Sequence, residues 1–116
     1  MGYSMSWWRY STETNQDHSK TYSALLAAGP TPQVETLPVK NIRTSISQAL
    51  CANWQQTSQD CWQNDLGAFE LSISERCVVF DGYGDYGKAL GKIADIMSEF
   101  QCPTFDPQSG ERHGST

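Results

Sequence analysis

The sequence predicts an α+β protein of the ferredoxin-like βαββαβ type, with a four-stranded antiparallel sheet and two helices on one face. Residues 69–73 alternate apolar with polar side chains, as in a strand with one buried face. After a turn at residues 74–76, the apolar run 77–80 returns as a second strand. The spacing then changes to three and four residues, which is typical of a helix face, at Tyr86, Leu90, Ile93, Met97 and Phe100.

The remaining elements complete this order. Residues 3–11 predict a first strand with Trp7 and Trp8 on opposite faces, and residues 39–54 predict a helix. Residues 21–28 predict a brief helical turn, and residues 55–66 a polar loop anchored by Trp62. Residues 102–105 predict a last, edge strand because Pro103 cannot donate to a ladder. One sheet face is then expected to be open to a partner, with one of the two tryptophans on it.

Composition indicates one domain over residues 1–116, ordered from about 3 to 108, with a mobile tail at 109–116. The net charge of -5 argues against nucleic-acid binding and suits a basic protein partner, although it also serves solubility alone. Neither a membrane span nor a signal peptide is evident, so a cytoplasmic location is expected, with Met1 or Met5 as the natural start. The four cysteines are expected to be reduced, with Cys77 and Cys102 in the core.

A glycine motif, Gly82-x-Gly84-x-x-Gly87, follows a predicted strand and opens a predicted helix, as dinucleotide-binding fingerprints do. Bulky or acidic residues occupy its other positions and its flank: Asp81, Tyr83, Asp85 and Tyr86. Only ten residues follow the candidate ribose-binding Asp106, too few for the rest of a doubly wound sheet. A flexible strand-to-helix loop is the favoured interpretation, and a small nucleotide-binding domain or enzyme is the alternative.

Catalytic and metal sites are not predicted, and neither is a cofactor. The two histidines, His18 and His113, lie in polar segments that are expected to be loose. A Cys102–His113 dyad is conceivable, but a core role for Cys102 is favoured. Two histidines and four unclustered cysteines do not have the spacing of a zinc site.

Three segments together resemble small bacterial proteins that read like immunity proteins of polymorphic toxin systems. The first is Leu37-Pro38-Val39 before a helix led by Ile42, and the second is the hairpin that ends in Val79-Phe80-Asp81. The third is the helix Ile93-Ala94-Asp95-Ile96 leading to Cys102-Pro103-Thr104-Phe105-Asp106-Pro107-Gln108-Ser109-Gly110-Glu111-Arg112. The resemblance covers roughly residues 37–112.

The resemblance implies a cytoplasmic protein that is not an enzyme and that binds one toxin and blocks its active site. A basic toxin would suit an acidic inhibitor. The first candidate contacts are Asp81, Tyr83, Asp85 and Tyr86, and the second are Asp60, Trp62 and Asp65. Asp106 and Gln108 are expected to hold the chain end by hydrogen bonds. A dimeric structural subunit that pairs through its edge strands is a further alternative.

Overall fold

The computed structural model describes residues 3–11, 17–27 and 29–113. Within these ranges it contains three helices and seven strands. In chain order they are β1 (Tyr3–Trp7), α1 (His18–Leu26), α2 (Val39–Leu50), β2 (Gln55–Ser58), β3 (Cys61–Gln63), β4 (Gly67–Ile73), β5 (Val78–Gly84), α3 (Gly87–Glu99), β6 (Thr104–Asp106) and β7 (Glu111–His113).

The strands form one sheet in the order β2-β3-β4-β5-β1-β6-β7, and all neighbouring strands are antiparallel. The predicted four-stranded ferredoxin-like fold with two helices is therefore wrong. The sheet is larger because three short segments expected to be loop or tail are extended and pair with neighbours. These segments are β2, β3 and β7.

Residues 55–66, predicted as a polar loop, instead form a hairpin that extends the sheet. The side-chain oxygen of Asn64 accepts hydrogen bonds from the backbone N–H groups of Leu66, at 2.8 Å, and Gly67, at 3.1 Å. This Asx-type turn reverses the chain between β3 and β4. Trp62 on β3 pairs with Phe69 on β4 and stacks on its ring, which buries the one large side chain of the hairpin.

The main core lies between the sheet and the pair α2 and α3. Ile42, Ile46 and Leu50 of α2 face Trp7 and Phe80 of the sheet in this core, together with the apolar side chains of α3. The helix predicted over residues 39–54 ends at Leu50, whose carbonyl accepts the N–H groups of both Asn53 and Trp54. The helix stops early, but Trp54 still packs into the same core.

A second, smaller core lies on the opposite face of the sheet, beneath α1. Because side chains alternate along β1, Trp7 faces α2 and α3 while Trp8 faces α1. Trp8 is 0% exposed and stacks on Tyr22 of α1 at 6.4 Å. The two tryptophans do lie on opposite faces, as predicted, but the expectation that one of them is open to a partner is wrong.

The start of α1 and the C-terminal segment differ from the sequence expectation. His18, expected in a loose segment, begins α1 next to the capping residue Asp17, which accepts the Lys20 N–H at 3.1 Å. Part of the predicted tail, Glu111–His113, pairs with β6 as β7. Met1, residues 114–116 and the side chain of His113 lie outside the described structure. Among the residues that are described, no helix is both long and apolar enough to cross a membrane.

Candidate functional site

A row of polar side chains crosses four strands on the sheet face that carries α1. Asp81 of β5 pairs with Ser4 of β1 on one side and with Glu70 of β4 on the other. Glu70 in turn pairs with Cys61 of β3. These four residues alternate with core residues on their strands, so they project from the face opposite α2 and α3. The register therefore places two carboxylates directly opposite each other.

This carboxylate pair costs stability. Like charges directly opposite on antiparallel strands destabilise a sheet, typically by about 0.2–1 kcal/mol. The Ser4 hydroxyl donates a hydrogen bond to Asp81, and the Cys61 thiol donates to Glu70 at 3.6 Å. These are neutral donors, and neither cancels the charge. A pair retained at a cost in this way is a candidate for binding a cation.

The pair lies in a groove of about 660 Å³ beside the C-terminal end of α1, which we name the acidic groove. Three of its lining residues are carboxylates, Asp60, Glu70 and Asp81, and none of the described lining residues is a lysine or arginine. Two leucines of α1 form an apolar rim, and Leu26 is 57% exposed. The described residues that line it are Leu25, Leu26, Asp60, Cys61, Glu70, Leu71, Ser72, Ile73, Ser74, Cys77, Val79 and Asp81.

The same sheet face continues past the groove as an uncharged row. Tyr83 of β5 pairs with Ala68 of β4, Ala68 pairs with Gln63 of β3, and Gln63 pairs with Gln55 of β2. Tyr83 is 55% exposed and is one of the few large apolar side chains that reach solvent. An exposed tyrosine beside an acidic groove is typical of a protein-binding surface, because its ring adds contact area and its hydroxyl a hydrogen bond.

Three of the residues predicted to bind a partner lie on or beside this face. Asp81 is in the acidic groove and Tyr83 is in the next row. Asp60 reaches the groove from the β2–β3 turn, but its carboxylate also accepts two hydrogen bonds from Arg43 of α2, each at 3.2 Å. Because Asp60 already has a cation, it is less available to a partner than Glu70 or Asp81.

The other four predicted contacts are placed elsewhere. Trp62 is 3% exposed and lies in the main core. Tyr86 is half-buried and packs on Phe80 at 5.3 Å, and burial raises the pKa of its phenol. Asp85 lines a separate cleft with Lys88 and Lys92 of α3, and Asp65 is exposed in the β3–β4 turn. The structure therefore does not gather the seven residues into one site.

Two of the three glycines of the motif are explained by packing within the sheet, and the third, Gly87, begins α3. Gly82 and Gly84 belong to β5 and pair with Phe69 and Gly67, so their backbone is part of a ladder rather than a phosphate-binding loop. A Cβ at Gly82 would lie 2.6 Å from the Phe80 ring. Gly84 has a φ of +74°, a conformation that favours glycine.

The described residues show neither a reactive cysteine nor a group of side chains that would bind a metal ion. Cys77 and Cys102 are buried, as predicted, and burial raises the pKa of both thiols, that of Cys102 to about 11 despite the opposing charge of Arg9. A neutral buried thiol is a poor nucleophile. The described residues contain no group of three or more His, Cys, Asp or Glu that would hold a metal ion. The carboxylate of Asp106 accepts the N–H of Gln108 at 2.9 Å, in the chain-end role expected for these residues.

An aromatic cluster packs the start of α1 against the sheet. The guanidinium carbon of Arg112 lies 5.1 Å from the centre of the Trp8 ring and 4.8 Å from that of Tyr10, a cation–π geometry. His18 stacks on Tyr10, and its Nδ1 lies 2.9 Å from the Tyr10 hydroxyl. Burial, followed by the positive charge of Arg112, lowers the pKa of His18 below 6.5, while Asp17 opposes the shift.

This cluster predicts that acid weakens the fold through His18. Because the folded state holds the His18 pKa below 6.5, the unfolded chain binds the proton more readily. The contribution of His18 to stability is therefore complete above pH 6.5 and is lost as pH falls from there through the folded-state pKa. We expect the melting temperature of the wild type to fall more than that of His18→Gln between about pH 8 and about pH 5. Parallel profiles for the two proteins would contradict this role of His18.

Neither a scan against protein-family models nor a search of curated proteins found a match to this chain. The three segments on which the expected family resemblance rests are distributed over the fold. Leu37 is buried in the main core before α2, and Val79, Phe80 and Asp81 are consecutive on β5. Cys102 is buried just before β6. Of these residues, only Asp81 is a charged residue of the acidic groove.

Proposed function

We propose that this chain is a cytoplasmic immunity protein that binds a cognate bacterial toxin and neutralises it by occluding its active site. The observation that carries the proposal is the Glu70–Asp81 carboxylate pair, held on the open part of a sheet face in a groove whose described lining contains no basic residue. A lysine or arginine of a basic partner would relieve the repulsion within this pair. The free energy of binding would therefore include the release of the electrostatic repulsion that is present in the free protein.

The chemistry of the groove favours a partner side chain that is both cationic and long. An arginine placed between Glu70 and Asp81 would donate hydrogen bonds to both carboxylates, and its aliphatic part would contact Leu25 and Leu26 at the rim. Tyr83 would then cover the adjacent partner surface. An apolar contact beside a charge pair excludes water from it, which strengthens the electrostatic attraction.

A basic active site is a natural target for such a surface. Enzymes that cleave or modify nucleic acids present clustered lysine and arginine to the phosphate backbone. Carboxylates on a rigid strand resemble those phosphates in charge, and the net charge of -5 also accelerates encounter with a basic protein. An inhibitor of this kind acts stoichiometrically and needs no catalytic residue of its own.

The structure supplies a matched pair of charge reversals for testing the proposal. Asp81→Lys places a cation beside Glu70, so it should preserve the fold and neutralise the carboxylate pair, whereas Asp85→Lys makes the same change outside the groove. The toxin is first identified by a pull-down from the native cytosol with this chain as bait. It is expected to be a basic protein whose gene lies next to the gene for this chain. We expect Asp81→Lys to raise the Kd for that toxin at least about tenfold, or about 1.4 kcal/mol, and to abolish growth protection on co-expression.

The control should bind and protect within about twofold of the wild type, because Asp85 lies away from the groove. Equal binding and protection by Asp81→Lys and Asp85→Lys would remove the groove from the interface. A toxin retained by the wild type whose activity is unchanged when bound would contradict inhibition by occlusion. Retention of no basic protein encoded next to this chain would count against the immunity function itself.

A further inference from the structure

The two edges of the sheet differ in how they are protected against pairing with another chain. The edge strand β7 contains two charged residues, Glu111 and Arg112. The opposite edge, β2, has the sequence Gln-Gln-Thr-Ser, and all four of its residues are exposed. Exposed edge strands usually carry a charge or a proline, because unpaired backbone groups otherwise offer a template for another strand.

The outer side of β2 is open in the described part of the chain. Its residues pair with β3 on one side, at Gln55, Gln56 and Ser58. Their other contacts are two short-range side-chain bonds, from Gln56 to the Gln59 carbonyl at 2.8 Å and from Thr57 to the Cys61 carbonyl at 3.4 Å. These bonds hold the hairpin and leave the outer backbone groups of β2 to solvent.

We infer that β2 pairs antiparallel with β2 of a second copy of this chain, which joins two sheets into one across a two-fold axis. This inference is independent of the proposed toxin binding. A two-fold axis places β2 opposite itself, so an edge is self-compatible only if its own charges do not repel. The stretch from Trp54 to Gln59 has no charged residue, so β2 brings no like charges together in any register.

The length of β2 sets the strength of the association. The register shift between Gln56 and Ser58 restricts regular pairing to a few backbone hydrogen bonds. An interface of this size is far below that of a stable dimer, so we expect a dissociation constant on the order of 0.1 mM. Glutamine side chains that face each other across the axis add amide hydrogen bonds.

Sedimentation velocity over a concentration series, from about 10 µM to about 1 mM, tests the inference on the full chain. The average mass of the wild type should rise from 12.9 kDa toward twice that value. Thr57→Lys should raise the dissociation constant at least about tenfold, because the two-fold axis brings the two new cations together. Thr44→Lys, the same change at an exposed position of α2, should leave it within about twofold.

Amide hydrogen exchange locates the contact. Exchange at Gln55–Ser58 should slow as the wild-type concentration rises, and Thr57→Lys should remove this dependence. A wild type that stays at 12.9 kDa throughout the series would overturn the inference. So would equal weakening by Thr57→Lys and Thr44→Lys, or concentration-dependent protection in β7 rather than β2.

Discussion

Replacing Phe69 by alanine should lower the free energy of unfolding by about 3–5 kcal/mol. Phe69 lies at the centre of an aromatic cluster, with ring centres 4.9 Å from Trp54, 5.4 Å from Trp62 and 5.1 Å from Phe80. It is fully buried, so truncation removes its burial energy and leaves a cavity that rigid rings cannot close. Urea unfolding followed by far-UV circular dichroism measures the loss.

The loss is large because three elements meet at this one ring. Trp54 anchors the chain after α2, Trp62 holds the β2–β3 hairpin, and Phe80 belongs to the central strand β5. Tyr83→Ala is the matched control, because this aromatic residue lies on the other face of the same sheet and is largely exposed. Its effect should stay below about 1 kcal/mol. Similar losses for the two variants would mean that the cluster does not organise the core.

The elements that can be predicted from the sequence are those with one buried face. The alternation in β4, the apolar start of β5 and the helical spacing in α3 all arise from burial, so the pattern is visible in the residues themselves. β2 has no buried residue, and β7 is three residues long and polar. Their pairing depends on backbone hydrogen bonds to distant strands, which no local pattern records.

The sequence predicts an open sheet face, but the extent of that face depends on tertiary contacts. α1 covers Trp8 because Tyr22 and Leu25 pack on that side of the sheet. These two residues are three positions apart, and a buried face of only two residues is a weak signal for a helix in the sequence. Tertiary contacts also decide which of the predicted partner-binding residues are exposed. Trp62 has the sequence context of a loop residue, and it is buried only because its strand pairs with β4, where Phe69 covers its ring.

Glu70 is the site residue that the sequence analysis does not predict. The predicted turn at residues 74–76 would pair Ile73 with Cys77, and counting along that register places the apolar Phe80 opposite Glu70. Residues that pair across two strands share a sheet face, so a polar residue opposite a core residue indicates the wrong register. In the structure the register is shifted by one residue, which pairs Leu71 with Phe80 and Glu70 with Asp81. Matching apolar with apolar residues across the hairpin is the signal in the sequence that points to the carboxylate pair.

Replacing Gly67 by alanine should lower the free energy of unfolding by about 2–4 kcal/mol. A Cβ at Gly67 would lie 2.5 Å from the Tyr83 carbonyl oxygen and 2.8 Å from the Asp85 nitrogen. Both atoms are backbone, so no side-chain rotation relieves the clash. The start of β4 must separate from the end of β5, which also weakens the 2.9 Å hydrogen bond from Asp85 N–H to the Leu66 carbonyl.

Gly91→Ala is the same chemical change as Gly67→Ala, but it should stabilise the fold instead of destabilising it. A Cβ at Gly91 meets nothing within 4 Å, and the residue lies inside α3 on an exposed turn. Alanine there should raise the free energy of unfolding by about 0.5–1 kcal/mol, because glycine loses more backbone entropy in a helix. Chemical denaturation of both variants measures the difference, and destabilisation of the same size in each would show that the β4–β5 approach is not tight. Because the Gly67 clash falls on the Tyr83 backbone, Gly67→Ala should also weaken the proposed toxin binding, whereas Gly91→Ala should leave it unchanged.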